Sequence, residues 1–202
     1  MDSTPSVSRQ WSLWAKENNI DPQKVELVHG RPTIEGVRLV APHLDVEAEA
    51  KKIEQREIED EEGVVVMPGA AKLLKSLPPE RWGIVTSGTR RLAMSRLKAG
   101  NLPVPEVLIS ADDVVNGKPN PEPYLKGAAQ LNMKTAECLV VEDAPAGIDA
   151  GHAAGMKVVA LMTTYPASAL QKADAVARAL ADVSVDISSD GVTVTMDDSM
   201  RG

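Results

Sequence analysis

Apolar positions along the chain follow two rhythms, and the change falls near Val64. Before it, they recur every three or four residues, as on one face of a helix. Val7, Trp11 and Trp14 share such a face, behind Thr4 as a cap and Pro5 in the first turn. Asp21-Pro22 opens a second, short helix that Gly30 closes. Ile34, Val37 and Ala41 mark a third, stopped at Pro42. Leu44 to Glu62 predicts a fourth helix, with a narrow apolar stripe of Val46, Ala50 and Ile53.

After Val64 the apolar runs are short and continuous, and helical stretches separate them. This is the βα alternation of a parallel sheet. Strands are predicted over 83–87, 107–110, 139–143 and 157–162, with helices around Leu73 to Leu77, Thr89 to Ala99 and Tyr124 to Leu131. Another helix is predicted after Asp143, and one more over Ala167 to Ala181; Val192 to Met196 reads as an edge strand. The division is therefore a helical lobe, 1–66, and an α/β core, 67–202.

Charge changes this picture in one place. Leu44 to Glu62 holds nine acids against Lys51, Lys52 and Arg56, so six of the chain's seven excess negative charges lie there. That composition predicts an exposed helix with a solvated face. The acidic balance argues against nucleic acid as a partner. Three Trp, two Tyr and no Phe leave the core to Val, Leu, Ile, Met and Ala. A single cysteine, Cys138, excludes an intrachain disulfide and reads as a small core residue. No apolar run reaches the length of a membrane span and the first residues are polar, so the expected compartment is the cytoplasm.

Candidate chemistry gathers at strand ends, where open α/β sheets bind their ligands. Leu139-Val140-Val141 ends in Glu142 and Asp143, paired acids that suit a hard cation such as Mg²⁺, or else form a solvated turn. Thr86-Ser87-Gly88-Thr89 offers hydroxyls and backbone N–H groups to a phosphate oxygen, or is ordinary turn chemistry. Lys118, between Gly117 and Pro119, is oriented to offset charge on a phosphoryl group. The loop His29-Gly30-Arg31-Pro32-Thr33 carries two basic-capable side chains.

Three segments, Val85-Thr86-Ser87-Gly88-Thr89-Arg90, Gly117 to Leu125 and Val141 to Ile148, resemble in order the second, third and fourth motifs of the haloacid dehalogenase superfamily. The resemblance spans nearly the whole chain and looks closest to the glycerol-3-phosphatase and 2-deoxyglucose-6-phosphatase branch. It implies a Rossmann-like parallel core with a helical cap, and Mg²⁺-dependent hydrolysis of small phosphate monoesters. It also implies phosphate held by Thr86, Ser87, Gly88 and Lys118, metal held by Glu142 and Asp143, and His29 and Arg31 on the cap loop.

The family's first motif, Asp-x-Asp-Gly-Thr, does not occur in these 202 residues. Met1-Asp2-Ser3-Thr4-Pro5 resembles what normally follows it, so by register Asp2 is not the nucleophile. The expectation is a phosphatase-like chain that is inactive as written, with an incomplete metal site and one central strand missing. That strand would lie between those ending in Ser87 and Asp143, so something fills the gap, the sheet closes across it, or the chain is part of a longer product. The alternative is a non-catalytic relative that binds a phosphorylated or other small ligand, or a protein partner.

Overall fold

The computed structural model describes residues 1–25, 28, 31–188 and 191–196. The chain divides into two units, Met1–Val66 with Ser87–Leu102, and Met67–Thr86 with Pro103–Gly202. The segment 87–102, expected in the core, thus groups with the helical lobe. No helix among the described residues is long and apolar enough to cross a membrane.

The first unit is helical: α1 (Thr4–Glu17), α2 (Pro22–Val25), α3 (Thr33–Val40) and α4 (Val46–Glu59). Pro5 sits in the first turn of α1 as predicted, but Thr4 is inside the helix and is not its cap. The Asp2 carboxylate instead accepts from the Thr4 N–H at 2.9 Å. α4 begins at Asp45, whose side chain accepts from the Ala48 N–H at 3.0 Å. The apolar faces of these helices meet in one core of Trp11, Trp14, Val37, Val40 and Ile53. The two tryptophan rings pack edge to face, 5.5 Å apart.

The acidic face of α4 is not wholly solvated. Glu54 and Glu57 are buried, and so is Arg96. Arg96 sits on the helix over Arg90–Ala99 that the segment 87–102 contributes, and it explains why that segment belongs here. Its guanidinium donates to the Ser6 hydroxyl at 3.2 Å and to the Asp60 carbonyl at 3.3 Å. Thr89, which caps the same helix, donates its hydroxyl to Glu54. Burial pushes the Glu57 carboxyl up to about 7, the Glu54 charge adds to this, and Arg96 and Trp11 oppose it.

The second unit is α/β. Helix α5 (Ala70–Ser76) precedes β1 (Gly83–Val85); with the Arg90–Ala99 helix counted as α6, β2 (Val107–Ile109) follows. β1 and β2 pair in parallel, Val85 opposite Ile109. Next come α7 (Glu122–Gln130), β3 (Leu139–Glu142), α8 (Pro145–Ala153), β4 (Lys157–Leu161) and β5 (Ala175–Ala177). β3, β4 and β5 form a separate parallel sheet. Among the described residues the two sheets do not pair, so the sheet does not close between β1 and β3. Helix α7 ties them together. Its Gly127 lies so close to Val85 that a Cβ there would meet a Val85 methyl at 3.2 Å, and its Tyr124 and Ala128 belong to the core beside Val140 and Ile148. Cys138 is half-buried against that core, as a small packing residue.

The stretch 167–181 is not a helix. It holds two short 3₁₀ turns with β5 between them, and the buried Leu170 anchors it. Asp174 accepts from the Val158 N–H at 2.9 Å and aligns the segment beside β4, where strand pairing overrides the helix propensity of its alanines. An antiparallel pair, β6 (Val183–Ser188) and β7 (Gly191–Met196), ends the unit. The edge strand over 192–196 therefore has a partner, β6, that the sequence reading did not include.

Candidate functional site

Strand β3 alternates, and the alternation is what carries a charge inside. Val140 and Glu142 are buried while Val141 is exposed. A carboxylate placed among Val140, Ile148 and Tyr124 is costly unless charge and hydrogen bonds compensate it. Both oxygens of Glu142 are satisfied. Oε1 accepts from the Lys118 ammonium and, at 2.6 Å, from the Tyr124 hydroxyl. Oε2 accepts from the backbone N–H groups of Asp143 at 3.0 Å and Ala144 at 3.3 Å, where the chain turns into α8. Burial pushes the Glu142 carboxyl up, but the Lys118 charge and these hydrogen bonds outweigh it and hold the group below its ordinary value. Burial and the Glu142 charge together raise the Tyr124 phenol, so it remains a donor.

Lys118 is nearly buried. It reaches this position from the Gly117–Pro123 loop, where its peptide bond to Pro119 is cis. Its ammonium also donates to the Val85 carbonyl at 3.1 Å and lies 4.9 Å from the centre of the Tyr124 ring. The lysine therefore joins the carboxyl ends of β1 and β3, the place where this class of sheet binds ligands. Gly147, in the first turn of α8, makes room for the pair: a Cβ there would overlap the Glu142 carboxyl group.

Asp143 follows directly, and one of its oxygens accepts from the Thr164 hydroxyl. Burial raises its pKa and the neighbouring Glu142 charge adds to this, against the Thr164 hydrogen bond. Thr86 follows Val85, but its N–H is bound to the Ile109 carbonyl at 2.8 Å. The β1–β2 ladder runs one residue beyond the strand, so that amide is not open to an anion as expected. Ser87 and Gly88 fall in the first unit, and so does Arg31, which is exposed. His29 lies outside the described residues. Sequence reasoning did not assign roles to Tyr124, Gly147 or Thr164. Two of them stand inside the motif segments, six residues after Lys118 and five after Glu142, and Thr164 follows the carboxyl end of β4.

The Mg²⁺ that the sequence implies does not fit these residues as they stand. No cluster of three metal-ligating side chains occurs among the described residues. Glu142 has both oxygens bonded, and Asp143 has one of its own on Thr164. A separate cleft of about 270 Å³ beside α8, lined by Pro145, Ile148, Ser168, Ala169, Gln171 and Lys172, includes none of the site's charged groups. Its Lys172 is paired with Asp149 at 2.7 Å.

Comparison with known proteins places this geometry in context. Residues 1–161 match the family described as haloacid dehalogenase-like hydrolase. Hexitol phosphatase A of Escherichia coli (strain K12) is 39% identical over 191 residues, covering 92% of this chain and 88% of its own. Glycerol-1-phosphate phosphohydrolase 1 of Saccharomyces cerevisiae is 38% identical over 177 residues, covering 81% of this chain and 70% of its own. The solved structure of β-phosphoglucomutase from Clostridium difficile superposes with a TM-score of 0.78 at 21% identity, over 89% of this chain and 86% of that one. At that identity the likeness is one of fold.

Proposed function

Because this chain belongs to the haloacid dehalogenase-like hydrolases, we propose that it recognises small sugar or polyol phosphate monoesters through Lys118. The supporting observation is the Lys118 ammonium itself. It is held by the Val85 carbonyl and Glu142 at the carboxyl ends of two strands, next to Thr86. A cation fixed there offsets charge on phosphoryl oxygens without reorganising during reaction. Glu142 and Tyr124 position it. The relatives' names, a hexitol phosphatase and a glycerol-1-phosphate phosphohydrolase, support phosphorylated polyols as the substrate class.

Phosphoryl transfer in this reading needs a carboxylate nucleophile as well. Asp2 does not serve, because its side chain receives the Thr4 N–H at the start of α1. A second reading, a non-catalytic relative that binds a phosphorylated ligand, is favoured by one observation: the 202 residues contain no Asp-x-Asp-Gly-Thr segment. Mg²⁺ binding by this chain is weak in both readings, since the two adjacent acids are already hydrogen-bonded and an octahedral ion needs further oxygen donors.

Calorimetric titration with inorganic phosphate tests the shared part. Binding is expected in the wild-type chain, with about a tenfold loss, equivalent to about 1.4 kcal/mol, in a folded Lys118→Ala variant. Equal affinity in the two proteins would remove Lys118 from the site. Assay of hexitol and glycerol phosphates separates the readings. Turnover by the 202-residue chain would exclude the non-catalytic one. If the first reading holds, turnover is expected once a strand ending in Asp-x-Asp-Gly-Thr is added ahead of Met1.

A further inference from the structure

The carboxylate that a divalent cation would need most is occupied, and the four groups on it differ in how easily they leave. The Asp143 and Ala144 amides are part of the backbone turn into α8. The Tyr124 hydroxyl sits on a buried ring with no other place to go. On the α8 side, the space a Gly147 side chain would take is filled by the carboxylate. Lys118 is the exception. It has a flexible four-carbon stem, and it keeps a second acceptor, the Val85 carbonyl, when it lets go of Glu142.

We propose that Lys118 and a divalent cation are alternative, mutually exclusive partners of the Glu142 carboxylate, so that the lysine is a built-in competitor that the cation displaces. Two cations cannot share Oε1 at bonding distance, and Oε1 is the oxygen that a side-chain movement can open. Asp143, with one oxygen on Thr164, is the adjacent acid that the entering ion would also meet. The displaced ammonium then lacks an anionic partner, and a phosphate dianion beside Thr86 would supply one. Cation and phosphate should therefore tighten each other's binding, because the cation releases the group that the anion takes up. This deepens the functional reading, resting on it for the identity of the anion, whereas the competition itself rests on the ion pair.

The test is calorimetric titration of Mg²⁺ and Mn²⁺ into the wild-type chain, Lys118→Met and the double variant Lys118→Met/Glu142→Gln. Lys118→Met is expected to bind at least about tenfold tighter than wild type, and the double variant to lose that gain. Binding no tighter than wild type, or a gain that survives Glu142→Gln, would overturn the proposal. Circular dichroism establishes whether Lys118→Met folds. If it does not, nitrogen-15 NMR of the lysine ammonium groups in the wild-type chain decides. The Lys118 signal should move in step with Mg²⁺ saturation, and inorganic phosphate should lower the Mg²⁺ concentration required. A signal that stays put at saturation, or no Mg²⁺ binding with or without phosphate, would overturn it. None of these readouts measures hydrolysis, so failure of the phosphatase reading would leave the result intact.

Discussion

Gly147→Ala is expected to destabilise the α/β unit by about 3 kcal/mol and to weaken phosphate binding with it. The added methyl would occupy the volume of the Glu142 carboxyl group. Overpacking a tight site usually costs about 1–3 kcal/mol through displaced neighbours. Here the neighbour cannot shift without loss, because four donors fix the carboxylate. If Glu142 swings away, Lys118 is left nearly buried with the Val85 carbonyl as its remaining acceptor, and breaking a buried pair costs about 3–5 kcal/mol. Urea unfolding of wild type and variant measures the effect. A loss under about 1 kcal/mol with phosphate affinity unchanged would mean that the carboxylate tolerates displacement, and that Gly147 does not shape the site.

Glu57→Gln is expected to remove most of the pH dependence of the helical unit between about pH 4.5 and 7. In the folded chain burial holds the Glu57 carboxyl at about 7, against an ordinary value of 4.5. Below 4.5 the group is protonated in both states and costs nothing. Between the two values the unfolded chain ionises while the folded one does not, so stability falls as pH rises, by about 1.4 kcal/mol per unit. The fall is complete above about 7 and amounts to about 3 kcal/mol. The amide, which does not ionise, should be more stable than wild type at pH 8 by a similar amount. Asp60 does not interfere: Arg9 holds it down to about 2, and its contribution is lost only as pH falls through the acid range. Urea titrations at pH 5 and 8, followed by fluorescence of the buried Trp11 and Trp14, provide the comparison. Equal pH dependence in the two proteins would show that Glu57 ionises normally in the folded state.

Much of the architecture was determined by the sequence, because apolar spacing is a local property. The helices over 4–17, 33–40 and 46–59, the parallel strands, and the family itself follow from residues within a few positions of each other. Glu142 and Asp143 at a strand end, and Lys118 in a proline-bounded loop, were legible in the same way. What only the tertiary structure decided depends on partners distant in sequence. Ala167 to Ala181 has the composition of a helix, yet Asp174 and the pairing of Ala175–Ala177 with β4 make it turns and a strand. Glu54 and Glu57 look solvated in an acidic helix, and their burial follows from the packing around Arg96, about 40 positions away. Lys118 meets Glu142 across 24 residues, and Tyr124 joins them from α7. A charge pattern along the chain says which groups are present. Which carboxylate is buried, and which cation neutralises it, is settled when elements far apart in sequence close over the same volume and exclude water from it.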